Sequence, residues 1–214
     1  MKEFLVNLLG KELGTVVMSF VPLIELKGGI VFARSVDIGF FSALGLAYAG
    51  STLAFFLIFF LLRPILNLLK KIGWIGAFAN KVETYFQDKS EEILLEQQKK
   101  NKNSKMSQTF LKQLGVFIFV AIPLPMTGVW TGTAMAVFLN LKFKDAVLPV
   151  IIGNLVAGLI ISLLSELCFA IWEPTMAKLV LDIFLYVLFA LAVVLLVVFI
   201  VKVLKKKNKE TEGK

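Results

Sequence analysis

The chain has 214 residues, 58% of them hydrophobic and 18% charged, with a formal net charge of +8 and a mean hydropathy of +0.84. That balance excludes a soluble core and describes one polytopic membrane domain. With no histidine and a single cysteine, Cys168, an internal disulfide and a His/Cys metal centre are excluded too, and no cofactor is expected. Eight lysines lie from Lys70 to Lys105 and six from Lys202 to Lys214, where cytoplasmic stretches of membrane chains carry them, so no nucleic-acid partner is implied.

Residues 1–17 place Phe4, Leu5, Leu8, Leu9 and Leu13 on one helical face among charges, which predicts an interfacial helix. No small-residue cleavage site follows an apolar core, so a signal peptide is not expected there. Pro22, Gly28 and Gly29 then interrupt an apolar approach that carries Glu25 and Lys27, with Arg34 soon after. Residues 38–62 run 25 positions without a charge and predict a spanning helix closed by Arg63-Pro64. Residues 63–107 read as a cytoplasmic amphipathic helix and a polar linker.

Residues 114–141 carry no charge either, yet hold Pro123, Pro125, Gly128 and Gly132 at their centre, with Thr127, Thr131 and Thr133 around them. Two prolines one residue apart end a helix. Unpaired backbone at membrane depth is tolerated only inside protein or beside a water-filled cavity. Two half-helices, 114–122 and 129–140, meeting at a broken tip are therefore expected; a single Pro-kinked span is the alternative. Residues 146–165 predict a second span, interrupted by Pro149 and Gly153, and residues 183–201 the core of a C-terminal one. The boundaries are 1–17, a first hairpin and span over 18–62, the segment 63–107, a second hairpin and span over 108–165, a C-terminal span over 178–204, and a disordered basic tail over 205–214.

Charge bias favours the hairpin. The stretch 63–105 holds nine basic and five acidic residues, and the tail from Lys202 six and two; both should be cytoplasmic. Two spans already return the chain to that side, so residues 114–141 must cross an even number of times.

Sliding the chain by 103 residues brings Pro22 onto Pro125, Gly29 onto Gly132, Ala43 onto Ala146, Gly50 onto Gly153 and Ser51 onto Asn154. Each half is then a Pro/Gly-broken hairpin followed by a span, and charge bias orients the halves oppositely. The expected fold is an all-α polytopic membrane protein of two inverted repeats, each a re-entrant hairpin plus a transmembrane helix, with an additional C-terminal transmembrane helix. Inverted repeats with matching interrupted segments point to a transporter's midplane binding site.

Glu25 leads the candidate substrate- or proton-binding residues. Burial disfavours its charged form while Lys27 or Arg34 favours it, and a group held between those pressures can exchange a proton. The alternatives are an ion pair that only pins the hairpin, or a hydrated interfacial carboxylate. Lys27 and Arg34 fit either an anionic head group or snorkelling segment ends. Thr127, Thr131 and Thr133 either bind substrate or repair backbone at the tip, the second being favoured. Trp130 is a pocket wall or an interface anchor. Gly28, Gly29, Gly128 and Gly132 permit close backbone approach, and Ser51 and Asn154 read as interhelical hydrogen-bond partners. No Ser-His triad or acidic metal pair is available for an enzyme.

The two broken segments, residues 22–29 and 123–132, resemble the Putative small multi-drug export protein family, a relative of the DedA/VTT superfamily. The resemblance implies a bacterial inner-membrane protein, multi-pass with a cytoplasmic C-terminus, whose two re-entrant hairpins face each other from opposite leaflets. In the wider superfamily it implies movement of lipids, including undecaprenyl phosphate, in cases linked to the proton gradient. Glu25 then matches the acidic residue of the first hairpin, whereas the arginine typical of the second hairpin in DedA proteins is absent here. The expected function is transport of an amphipathic or anionic substrate, with membrane lipids as partners and self-association into a homo-oligomer admitted. The alternatives are a small-molecule or multidrug exporter, and a non-transporting scaffold recruiting partners through residues 64–107.

Overall fold

A computed structural model describes residues 2–70, 108–124 and 127–211 of the chain. The described residues form helices and no strand: α1 Lys2–Phe20, α2 Glu25–Ser35, α3 Phe40–Lys70, α4 Gln108–Ala121, α5 Val129–Phe138, α6 Phe143–Ile171 and α7 Pro174–Thr211. Three of them are long and apolar enough to cross a membrane, over Phe40–Leu62, Phe143–Ile171 and Pro174–Leu191.

α1 is two pieces. The chain turns at Gly10, where φ is +78°, a left-handed value that glycine adopts without cost. Residues 2–9 thus form a short separate helix exposing Phe4 and Leu8. The limb from Lys11 onward buries Gly14, Thr15, Met18 and Ser19 against the bundle, so the helix expected over residues 1–17 is divided at Gly10.

Both Pro/Gly segments are broken. Between α1 and α2, the backbone at Leu23 and Glu25 takes φ of 71° and 52°, a left-handed conformation that L side chains seldom adopt. Between α4 and α5, the Thr127 hydroxyl lies 2.6 Å from the Ile122 carbonyl and 2.8 Å from the Leu124 carbonyl, and accepts the Leu124 N–H at 3.0 Å. Pro125 lies outside the described residues, as does most of the segment 63–107.

α1 and α2 pack on each other and on α3; α4 and α5 do the same with α6. These two groups of helices brace each other, α2 against α6 and α3 against α5, with α3 meeting α6 and α7 lying over α2 and α6. α2 ends with Asp37 left-handed (φ 66°) and the Ile38 N–H bonded to the Ala33 carbonyl at 2.9 Å. α5 ends with Asn140 left-handed (φ 56°) and the Leu141 N–H bonded to the Ala136 carbonyl at 3.0 Å. This six-residue closure satisfies helix-end carbonyls, and its two occurrences are 103 residues apart.

α3 and α6 differ from their sequence expectations. α3 continues through Pro64 to Lys70, and α6 is continuous from Phe143 to Ile171 with Pro149 inside it. A proline forfeits one backbone bond but does not stop a membrane helix whose neighbours absorb the loss. α7 likewise stays helical through Lys205-Lys206-Lys207 to Thr211.

The ends of the bundle are chemically distinct. One end carries the ion pairs Lys2–Asp182 at 2.6 Å, Arg34–Glu166 at 2.5 Å and Lys178–Asp37 at 2.7 Å. At the other, the Phe143 ring meets Phe59 at 5.4 Å and Phe60 at 5.3 Å between centroids. α1 and α2 reach inward from the ionic end, α4 and α5 from the aromatic end, and their broken tips meet between the two apolar clusters of the core.

Candidate functional site

The tips touch through Glu25 and Lys27. Each is only 4% exposed, and both stand in the first turn of α2, immediately after the break forced around Pro22. An isolated charge this deep is untenable without partners, and the second tip supplies them. The Glu25 carboxylate accepts the Trp130 backbone N–H at 3.1 Å. That N–H belongs to the first turn of α5, where helix N–H groups lack internal partners and the dipole favours an anion. The Lys27 ammonium donates to the carbonyls of Leu124 and Thr127, acceptors that the break takes out of helical pairing. Within the pair, Lys27 Nζ stands 3.8 Å from Glu25 Oε2.

Gly128 makes this approach possible, because a Cβ there would overlap Glu25 Oε2. Trp130 secures the same junction from its other side. Its indole Nε1–H donates to the Phe20 carbonyl at 2.9 Å, and its ring meets Phe20 edge-on with centroids 6.2 Å apart. The first tip therefore serves as the missing cap of the second, and the second supplies hydrogen bonds to the charges of the first.

The remaining candidates sort themselves around this centre. Arg34 is not part of it: its guanidinium pairs with Glu166, donates to the Ile38 carbonyl at 2.9 Å and lies 4.9 Å above the Phe169 ring, all at the ionic end. Two α-helical turns separate Arg34 from Lys27, which is why one anion cannot bridge them. Thr127 serves the backbone, Thr131 Oγ1 lies 3.5 Å from the Gly128 carbonyl, and Thr133 is fully buried. The buried polar groups of the two tips meet one another directly.

The other glycines fit helices together. A side chain at Gly29 would strike Ser19, and one at Gly132 would strike Val120, so each lets the second limb of its segment lie on the first. Gly28 faces Ile24, and Leu185 of α7 passes 3.7 Å from where its Cβ would stand. Gly50 faces the Val16 backbone and Gly153 the Phe117 carbonyl, at 2.9 Å from its added Cβ. At the crossing of α3 and α6, Asn154 Nδ2 donates to Ser51 Oγ at 2.7 Å, and the Tyr48 hydroxyl to the Ile151 carbonyl at 3.2 Å.

A model of the family described as Putative small multi-drug export protein matches residues 25–160, more than half of the chain. The chain belongs to that family. The family match begins at Glu25 and closes within α6, so it contains Lys27, the second break, Trp130 and the Ser51–Asn154 contact. The segment before Glu25 and all of α7 lie outside it. No significant match to this family member is found among curated proteins or solved structures. Sequence reasoning found Glu25 and Lys27 but missed that Leu124, Thr127 and Trp130 backbone groups would receive them. The signal was available: the second segment strands backbone groups and has no charge of its own, and Glu25 and Lys27 are the charges set inside the first.

Proposed function

We propose that this membrane protein is an exporter built as an inverted repeat of two re-entrant hairpins, whose touching tips form the barrier that substrate must pass. The repeat is supported by the matched caps at Asp37 and Asn140 and by the cross-bracing of the halves. Ser51 with Asn154, and Tyr48 with Ile151, are pairs 103 residues apart that touch each other, as residues beside a two-fold axis do. Before the breaks the offset is 101: Val16 and Phe117 face equivalent glycines, as do Ser19 and Val120. A second break two residues longer than the first accounts for that difference. Inverted repeats with interrupted segments place substrate sites near the midplane.

The observation that carries the reading is the buried Glu25–Lys27 pair seated on the broken backbone of the opposite tip. If the tips part, both charges lose their partners in a low-dielectric interior, at several kcal/mol. Substrate and solvent must offset that loss. An anionic group can take the place of the Leu124 and Thr127 carbonyls on Lys27, and a proton can neutralise Glu25 as it leaves Trp130. The substrate class is then amphipathic or anionic, and movement is coupled to a proton. The resemblance of the two broken segments to the DedA/VTT superfamily supports a lipid carrier such as undecaprenyl phosphate as the first reading. The family's own description favours a second reading, export of a small drug-like molecule. Positive charge at Arg63, Lys112, Lys142, Lys144 and the C-terminal lysines supports a cytoplasmic aromatic end.

Reconstitution in proteoliposomes tests the proposal. Glu25→Gln should retain the fold and lose pH-dependent movement of substrate; unchanged rate and pH profile would refute proton coupling at this pair. Competition by amphiphiles of graded tail length separates the readings, since a lipid carrier site gains affinity with each added methylene and a drug site does not.

A further inference from the structure

α1 and α3 run inward side by side and touch where Gly50 faces the Val16 backbone. Toward the ionic end they part, leaving a groove of about 700 Å³ whose walls include Lys11, Glu12, Asp37, Ser42 and Gly45. Lys11, Glu12, Ser42 and Gly45 are exposed, and a Cβ at Gly45 would meet nothing within 4 Å. Neither Lys11 nor Glu12 forms a salt bridge among the described residues. One turn beyond Gly45 the same face of α3 continues through Ala49, also exposed.

In the other half of the proposed repeat the corresponding ground is finished. At the offset of 101, Lys112 and Gln113 stand for Lys11 and Glu12, and both are tied across the gap. Lys112 Nζ donates to the Leu139 carbonyl and Gln113 Nε2 to the Asp145 carbonyl, each at 3.0 Å. At the offset of 103, Leu148 and Ile152 replace Gly45 and Ala49, and they are 63% and 42% exposed. Bulky side chains suit lipid, whereas small ones let the backbone of another helix come close.

We propose that the groove between α1 and α3 receives α3 of a second copy of this chain, in a two-fold dimer whose helices cross at Gly45 and Ala49. The charges make the groove self-complementary. Lys11 stands on the α1 wall, and Asp37, its side chain 63% exposed, stands before the first turn of α3. In a two-fold pair each copy's Lys11 meets Asp37 of the other, so one contact is made twice. Phe41, one turn before Gly45, is 85% exposed, more than any other large apolar residue among those described. It supplies the bulk that fills the groove of the second copy. The contrast between halves rests on the repeat proposed above, but the dimer itself does not depend on transport.

The test uses the full chain in phosphatidylcholine liposomes at graded lipid dilution, with Cys168→Ser removing the native thiol. Under copper-phenanthroline, Ala49→Cys should form a disulfide-linked dimer, two thiols being oxidised as copper(II) is reduced, and the linked fraction should hold as lipid is added. Ile152→Cys, at the matching place on α6, should link little and fade with dilution. Gly45→Leu meets open space in the single chain, yet it should cut the Ala49→Cys product about tenfold. Lys11→Glu should cut it about fivefold. Absence of the product would leave the groove to lipid, and equal yields at positions 49 and 152 would mean random collision. Either result overturns the proposal, as does a yield unchanged by Gly45→Leu or Lys11→Glu. Cross-linking in protein that fails to transport would remove the export reading and leave the interface, whereas transport without cross-linking would remove only the interface.

Discussion

Replacing Gly128 by alanine adds one methyl group at the centre of the tip junction. The backbone there has φ of 168°, extended conformation open to any residue, so alanine meets no conformational penalty. Its Cβ instead overlaps the Glu25 carboxylate, which must withdraw from the Trp130 N–H it holds at 3.1 Å. Losing one hydrogen bond to a charged group costs about 2 kcal/mol. In a chain of this length that is a fall in Tm of roughly 4–8 °C. Adding Glu25→Asp shortens the acid by one methylene and makes room for the new methyl. The double variant should therefore lose less than the sum of the single losses, with a coupling on the order of 1 kcal/mol. Thermal unfolding of detergent-solubilised protein, followed for all four members of the cycle, reads this out. An unchanged Tm in Gly128→Ala, or strictly additive losses, would refute the close approach of Glu25 to the second tip.

Three other outcomes are expected. Trp130→Phe loses the indole bond to the Phe20 carbonyl while keeping an aromatic ring beside Phe20, so it should cost about 1 kcal/mol, and Trp130→Ala about 3 kcal/mol or more in the same unfolding assay. Ser51→Ala and Asn154→Ala each remove the bond at the crossing of α3 and α6; each should cost roughly 0.6 kcal/mol, and the double variant should cost little beyond Asn154→Ala alone. At the ionic end, the hydrogen bond from Lys178, with neighbouring positive charge, holds the Asp37 carboxyl below its ordinary 3.8. Because the folded value is the lower one, its stabilisation is present above pH 3.8 and fades as pH falls through the folded value. Asp37→Asn suits the same left-handed backbone, so stability curves of parent and variant should differ slightly at neutral pH and converge in acid.

The order of helices was legible in the sequence because prolines and glycines act locally. Pro22 and Pro123 each stop a helix through a missing donor and a steric clash, and both breaks stand where those residues are. Pro64 and Pro149 carry the same local signal without the same outcome, since flanking apolar residues and packed neighbours keep those helices going. Which proline ends a helix was decided by tertiary contact. For the proposed repeat, the sequence offers a handful of matched residues at an offset of 103, but no sign of the 101-residue offset proposed before the breaks. It depends on which backbone each glycine faces.

Glu25 and Lys27 were legible as candidates because charge in an apolar segment demands partners. Their actual partners are backbone groups about 100 residues away, which carry no side-chain signature. Arg34 was grouped with them by sequence proximity, yet helical rise carries it to the bundle end and to Glu166. The pairing of Arg34 with Glu166 depends on α6 lying against α2, which no local pattern encodes.

The decisive measurement is two-sided cysteine accessibility in a Cys168→Ser background, with single cysteines introduced at residues 11, 34, 112 and 142 and at tip positions 23 and 127. Positions 11 and 34 should react with a membrane-impermeant maleimide from one face of the membrane only, 112 and 142 from the opposite face only, and neither tip from either face. Labelling of 11 and 34 from opposite faces, or of 112 and 142 from opposite faces, would mean that a broken segment passes straight through, and hairpins meeting tip to tip would be contradicted.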